Sequence, residues 1–304
     1  MLDKILQRAP GAEYAERARK EAIDLLREET MLFASDLDQT LIYSHKSLLN
    51  REIDQQIRPV ERLEDRFISF MTQDAISALK EIAQRVLFVP VTTRTNLQYQ
   101  RINFRDYDIA HHYAVTSNGG RIFYEGREDE DWGQRIITGR DRCLAAQDLI
   151  HKFAEISHAS WVIKDSGKLA DELFYYCLIE REKIPVTELA AFKIWAKENN
   201  WELSVQGRKL YLVPKNVNKN AAILYIKEKE GISRVVAAGD SLLDLDMLNA
   251  ADLGIAPAHG ELYAQYLQGI SGLEKIRFTQ RIGIEAAEEI LDIVAESLSE
   301  KAVV

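Results

Sequence analysis

Short apolar runs that stop abruptly in polar loops recur through this chain, and they restrict its fold more than any other feature. MLFAS ends at Asp36, RVLFVPV at Thr92, HYAVT at Ser117-Asn118-Gly119-Gly120, and SRVVAAG at Asp240. Such runs, apolar at successive positions, are the mark of strands buried on both faces. Amphipathic stretches lie between them. Ile76, Leu79, Ile82 and Ala83 share one face of a helix capped by Thr72, another helix begins near Asn220, and Ala287, Ile290, Leu291, Val294 and Leu298 stripe a last one. ADLGIAPA reads as a further strand and EKIRFTQ as a strand at the sheet edge. Strand, helix and strand in series predict an α/β fold with a parallel sheet.

From about residue 121 to 210 the pattern changes. Short strands are expected in RIFYEG, WVIKD, ELFYYCLIE and KLYLVP, with one helix carrying Leu144, Leu149, Ile150 and Phe153 and another carrying Leu189, Phe192 and Ala196. Strands clustered beside separate helices predict an α+β domain over 121–210, inserted into an α/β core of 31–120 and 211–304. Trp161, Tyr175 and Tyr176 read as the core of that insert rather than as a sugar platform. Residues 1–30 read as a helical extension with Ala15, Ala18, Ala22, Leu25 and Leu26 on one face. That stripe packs on the core or receives a protein partner, and it carries no motif residue.

The formal net charge of −9 lacks the basic footprint of a nucleic-acid binder. An acidic chain that handles anionic substrates must gather positive charge locally. The two cysteines, Cys143 and Cys177, fit no metal spacing and no disulfide framework, so they are expected reduced. No apolar run approaches the ~18 residues of a membrane span, and the N-terminus lacks the apolar core of a secretory signal. The expected setting is soluble and cytoplasmic, without membrane partners.

Two acidic pairs carry the chemistry. Asp36 and Asp38 follow a buried strand, and side chains at i and i+2 leave an extended chain on the same side. Both are thus delivered to the carboxyl edge of the sheet, where open α/β folds bind ligands. Two carboxylates ~4 Å apart repel by about 4 kcal/mol at an effective dielectric near ~20. A site holds them together only with a cation or a shared proton; otherwise they are solvated loop residues. Asp240 and Asp244 follow a second buried strand and stand one helical turn apart. Hard oxygen donors without histidine or thiol suit Mg²⁺, although Asp240 could equally cap the helix. Thr92 offers a hydroxyl at a strand end, and Lys219 a point charge at a helix start, each suited to a phosphoryl oxygen.

The order Asp-x-Asp-x-Thr, strand-end threonine, lysine and Gly-Asp-Ser-x-x-Asp resembles the haloacid dehalogenase (HAD) superfamily over roughly residues 31 to 300. The gap between Thr92 and Lys219, together with SNGG and GRKLYLVPKNVNK, resembles the Cof-type and sucrose-phosphate-phosphatase-like branch, whose insert is a C2-type cap on a Rossmann-like core. The resemblance implies a Mg²⁺-dependent phosphohydrolase acting on a small phosphorylated metabolite, such as a sugar phosphate. It makes Asp36 the nucleophile that becomes an aspartyl phosphate, and Asp38 the acid and base. It makes Thr92 and Lys219 phosphate ligands. Asp36, Asp240, Asp244 and the backbone carbonyl of Asp38 become the metal site. Arg94 and Asn118 are substrate contacts by that resemblance, and loop and turn residues by local pattern.

Two positions depart from the family. Thr93 replaces the glycine of Thr-Gly-Arg, and Leu243 replaces an asparagine that helps bind phosphate. A phosphomutase on the same core, or a non-catalytic phosphometabolite-binding scaffold, are the alternatives. The cap is expected to select the substrate through polar residues such as Lys164, Lys168 or Arg208.

Overall fold

The structure, a computed structural model, describes residues 30–48, 54–140, 142–158 and 160–299. The helical extension expected over 1–30 lies outside the described residues except for Thr30.

Five parallel strands form the central sheet, in the order Ile276–Phe278, Leu253–Ala256, Arg234–Ala238, Met31–Ser35 and Leu87–Pro90. Met31–Ser35 is buried at every position. Its side chains alternate between two apolar clusters, as a two-residue period requires. Phe33 faces the cluster built by Leu79 and Ile82 of helix Gln73–Ala83 and Ile290 and Val294 of helix Glu285–Ser299. Leu32 and Ala34 face the cluster built by Ile223 and Ile226 of helix Lys219–Glu230 and Leu248 of helix Leu245–Ala250. Helices therefore cover both faces of the sheet, and Ile276–Phe278 is its edge. The hydroxyl of Thr72 accepts the Ala75 N–H at 3.1 Å and caps its helix.

The insert is a cap. Its sheet is antiparallel, in the order Trp201–Gln206, Lys209–Pro214, Phe174–Leu178 and Lys168–Ala170. Helices Ala146–Ala154 and Val186–Glu198 cover one face, enclosing Phe153, Trp161, Cys177, Phe192 and Leu210. The opposite face, with Ala170, Phe174 and Tyr211, joins the second core cluster. Trp132 and Ile136 of helix Glu130–Arg140 belong to that core cluster as well, not to the cap's own.

Three elements differ from the sequence expectation. WVIKD forms no strand and contributes only the single bridge of Val162 to Ile179. Trp201–Gln206, read as no element, pairs over its whole length with Lys209–Pro214. The stretch before Thr72 is a hairpin, Ile57–Leu63 with Arg66–Thr72, bulged beside Pro59, which has no N–H to give to the ladder. Among the described residues no helix is long and apolar enough to cross a membrane, and both cysteines are free thiols.

Candidate active site

Parallel strands deliver their carboxyl ends to one edge, and the acidic residues meet there. The Asp36 N–H donates to the Ala238 carbonyl at 2.9 Å, which stitches the two motif loops together. Asp36, Asp240 and Asp244 are buried, and one carboxylate oxygen of each lies within 4.8 Å of the others. Lys219, 1% exposed, donates from Nζ to Asp36 Oδ1 and to Asp244 Oδ1, both at 2.6 Å. The other oxygen of Asp244 accepts from the Ser241 N–H at 3.0 Å and the Ser241 hydroxyl at 2.7 Å. A Cβ at Gly239 would stand 2.4 Å from that of Asp244, so only glycine allows this close turn.

Lys219 is the first residue of its helix, and Asn218 caps it by accepting the Ala221 N–H at 3.1 Å. The SNGG turn seats it. Ser117 and Asn118 are both left-handed, at φ 51° and 58°. Asn118 Nδ2 donates to the Val217 carbonyl at 3.2 Å. A Cβ at Gly119, φ +92°, would fall 2.3 Å from the Asn218 carbonyl oxygen. Asn118 is therefore a brace behind the lysine loop. It is buried and is not among the residues lining the cavity.

Thr92 is likewise buried behind the wall, and its hydroxyl accepts the Arg94 N–H at 3.1 Å. Thr93 lines the cavity instead, as does Tyr211 from the cap. The extra side chain at this departure thus sits on the wall shared by core and cap. Leu243 packs against the second apolar cluster.

Arg94 reaches the site but is committed to protein carboxylates. Its Nε and Nη2 donate to Asp38 Oδ2 and Oδ1, both at 2.7 Å, and its Nη1 donates to Glu61 Oε1 at 2.6 Å. Glu61 is 1% exposed, sits on the unanticipated hairpin, and accepts from the Ser69 hydroxyl through its second oxygen. No local pattern marks it, because a glutamate in IRPVERL resembles any surface charge.

The electrostatics divide the carboxylates. Burial first, then Asp244 and Asp38, push Asp36 up to about 7 against the pull of Lys219. Burial, Asp36 and Asp244 raise Asp240 well above the usual carboxylate range. Burial would raise Asp38 too, but the Arg94 fork overrides it and holds Asp38 below the ordinary value. Lys219 pairs with only two of the three buried carboxylates, and the raised proton affinity of Asp36 and Asp240 marks a floor short of positive charge. All-oxygen donors with that shortfall fit a hard divalent cation held by Asp36, Asp240 and Asp244.

His259 lines the cavity wall but faces its own loops. Its Nδ1 accepts the Gly283 N–H at 3.1 Å, so the proton sits on Nε2, which donates to the Gln39 carbonyl at 3.0 Å. The cavity itself measures about 1050 Å³ and lies between these residues and the cap's Tyr176, Arg208 and Lys209. Trp161 is cap core, as expected, whereas Tyr176 faces the cavity. Of Lys164, Lys168 and Arg208, only Arg208 reaches the cavity wall.

The geometry predicts one mutational effect directly. In Arg94→Met, Asp38 loses the guanidinium charge that lowers it, so its pKa rises. The acidic limb of the pH–rate profile should then move to higher pH. Glu61→Gln in the same chain removes the orphaned buried charge. An unmoved limb in that double variant would show that Arg94 does not act through Asp38.

Residues 147–262 match the family model of haloacid dehalogenase-like hydrolases. A phosphoglycolate phosphatase of Staphylothermus marinus is 23% identical over 207 residues, covering 65% of this chain and 81% of that protein. The sucrose-phosphatase of Synechocystis, solved with sucrose and phosphate, superposes with a TM-score of 0.63 at 12% identity, over 88% of this chain and 98% of that one. The haloacid dehalogenase-like protein yhjK of Bacillus subtilis gives 0.52 at 16% identity, over 91% and 99%. A HAD subclass IIB sugar phosphatase gives 0.54 at 13% identity, over 90% and 100%. At these identities the solved structures share the fold: a Rossmann-like core with a cap.

Proposed function

We infer that this chain is a haloacid dehalogenase-like hydrolase of the Cof-type branch and a Mg²⁺-dependent phosphatase of small phosphorylated metabolites, sugar phosphates among them. The observation that carries this reading is the buried group of Asp36, Asp240 and Asp244 around the Lys219 ammonium at the carboxyl edge of the sheet. Phosphatase activity among the relatives supports it.

In this mechanism Asp36 attacks phosphorus, the ester P–O bond breaks, and the phosphoryl group is carried on the Asp36 carboxylate. Thr40, whose hydroxyl lies 3.4 Å from Asp36 Oδ2, orients the attacking group. Lys219 offsets charge on the phosphoryl oxygens. Asp38 gives its proton to the departing alcohol and then takes one from the water that frees phosphate and restores Asp36. The Arg94 fork favours ionised Asp38, the form needed for the second half. For the first half that fork must loosen as substrate enters. Mg²⁺, held by Asp36, Asp240 and Asp244, supplies charge neutralisation and alignment for the in-line displacement. The cap closes over the alcohol part and excludes water.

The test is phosphate release from sugar, polyol and nucleotide phosphates with and without Mg²⁺. Turnover should vanish on chelation, and Asp240→Ala should raise the metal requirement sharply or abolish activity. Full turnover in EDTA by metal-free protein would overturn the reading. Free phosphate as product, rather than a rearranged sugar phosphate, separates hydrolysis from mutase chemistry.

A further inference from the structure

We propose that the rim of the catalytic cavity is a second anion site, and that the substrate is a phosphate monoester whose alcohol part carries another anionic group, a carboxylate or a second phosphate. The inference rests on the phosphatase reading for its floor and adds the chemistry of the leaving group.

Charge is distributed unevenly in this molecule. The chain has 39 lysines and arginines against 48 acids. The cavity wall reverses that balance. Seven of its residues are lysine or arginine and five are acidic. The acids Asp36, Asp38 and Glu61 are already paired, with Lys219 or Arg94. Asp240 belongs to the metal group, and Glu261 accepts the Leu242 N–H at 3.2 Å. Five cations remain: Lys46 and Arg101 from the core, and Arg181, Arg208 and Lys209 from the cap. None of the five side chains makes a hydrogen bond or ion pair with another described residue. Like charges gathered from four separate chain segments repel one another. A bound anion turns that repulsion into attraction.

Lys209 gives the site its position. It opens strand Lys209–Pro214, directly across from Gln206, so only Gly207 and Arg208 form the hairpin turn. The turn therefore projects two adjacent cations at the cavity. The Lys209 ammonium stands 5.7 Å from the centre of the Tyr176 ring, which keeps it over an aromatic face. Lys209, Asp38 and Arg94 line the same cavity wall, and the charges of Asp38 and Arg94 both act on the ammonium. An anion on that alcohol would meet Lys209 first, and Arg208 next to it. A neutral sugar would offer these cations no counter-charge and leave them to solvent.

The experiment is calorimetric and needs no turnover. Phosphonoacetate, phosphonopropionate and phosphonobutyrate are titrated into the full chain with Mg²⁺, each against the alkylphosphonate of matching length, whose tail carries no charge. At least one phosphonocarboxylate should bind about tenfold or more tightly than its partner, a gain of ~1.4 kcal/mol. Arg208→Gln with Lys209→Met should erase that gain, Lys209→Arg should keep it, and Lys164→Met, outside the cavity, should leave it intact. The kcat/KM ratio of fructose bisphosphate to fructose monophosphate then distinguishes a second phosphate from a carboxylate as the preferred group. Alkylphosphonates that bind with no gain from the added carboxylate would overturn the rim site while leaving the phosphatase reading standing. A gain that survives in the double variant would also overturn it. Absence of binding by every phosphonate would count against both.

Discussion

Asp36→Asn is expected to lower kcat by about 10⁴-fold or more while the protein stays folded. An amide oxygen is a poor nucleophile, yet it can still accept from Lys219 while the amide N–H₂ donates to the Thr40 hydroxyl, so the surroundings need not collapse. Stability should move the other way. In metal-free protein, the Asp36 carboxylate is crowded by burial, Asp244 and Asp38. A folded pKa near 7, above the unfolded value of 3.8, means the folded state holds this proton more tightly. That contribution is complete below the unfolded pKa and is lost as pH rises through about 7. Metal-free wild type should therefore melt at lower temperature at pH 8 than at pH 6, and Asp36→Asn should flatten the dependence and melt higher. Phosphate release and thermal melts in EDTA check both parts. Activity within about tenfold of wild type, a barrier change of only ~1.4 kcal/mol, would sink the nucleophile assignment.

Lys219→Met should cost both activity and stability. The ammonium is 1% exposed and bonds two carboxylates at 2.6 Å. Removing one partner of a buried ionic group leaves uncompensated charge, at a cost on the order of 3–5 kcal/mol. Part of that cost disappears if Asp36 and Asp240 take up protons, so the loss should be largest at alkaline pH in EDTA. Mg²⁺ should restore more stability to Lys219→Met than to wild type, because the cation replaces the missing charge. Turnover should remain strongly reduced even with Mg²⁺, since a methionine cannot contact phosphoryl oxygens. Denaturant melts of both proteins, with and without Mg²⁺, make the comparison. Equal stability in EDTA at pH 8 would mean that Lys219 does not balance the carboxylates.

The floor of the site was legible because its residues are tied to strand ends. Asp36, Asp38 and Asp240 each follow an apolar run, and the parallel sheet of the described residues brings those ends to one edge. Lys219 was legible because Asn218 caps a recognisable helix. What escaped depends on tertiary placement that no local pattern encodes. Glu61 sits in a hairpin whose proline and charged residues disguise the strand, and only its burial against Arg94 distinguishes it from a surface acid. Arg94 was anticipated at the site, but its partners were not. Thr92 and Thr93 are adjacent and chemically alike, so their sequence alone does not say which of them faces the cavity. In the cap, WVIKD has strand composition yet makes one bridge, while WELSVQ takes a full strand because Lys209–Pro214 is available beside it. Lys209 lines the cavity from a hairpin turn, whereas Lys164 and Lys168 do not line it, a difference that residue type alone does not encode.

The central claim is that Asp36 carries the phosphoryl group between two half-reactions. Asp38→Asn, turned over with p-nitrophenyl phosphate and Mg²⁺, tests it most directly. The aryl leaving group departs without a proton donor, whereas water still needs the lost base. The account predicts a burst of nitrophenol approaching one equivalent per chain, slow turnover afterwards, and a phosphoryl group on the Asp36 peptide after acid quench and mass spectrometry. Nitrophenol and phosphate released in step, with no burst and no phosphorylated Asp36, would contradict it.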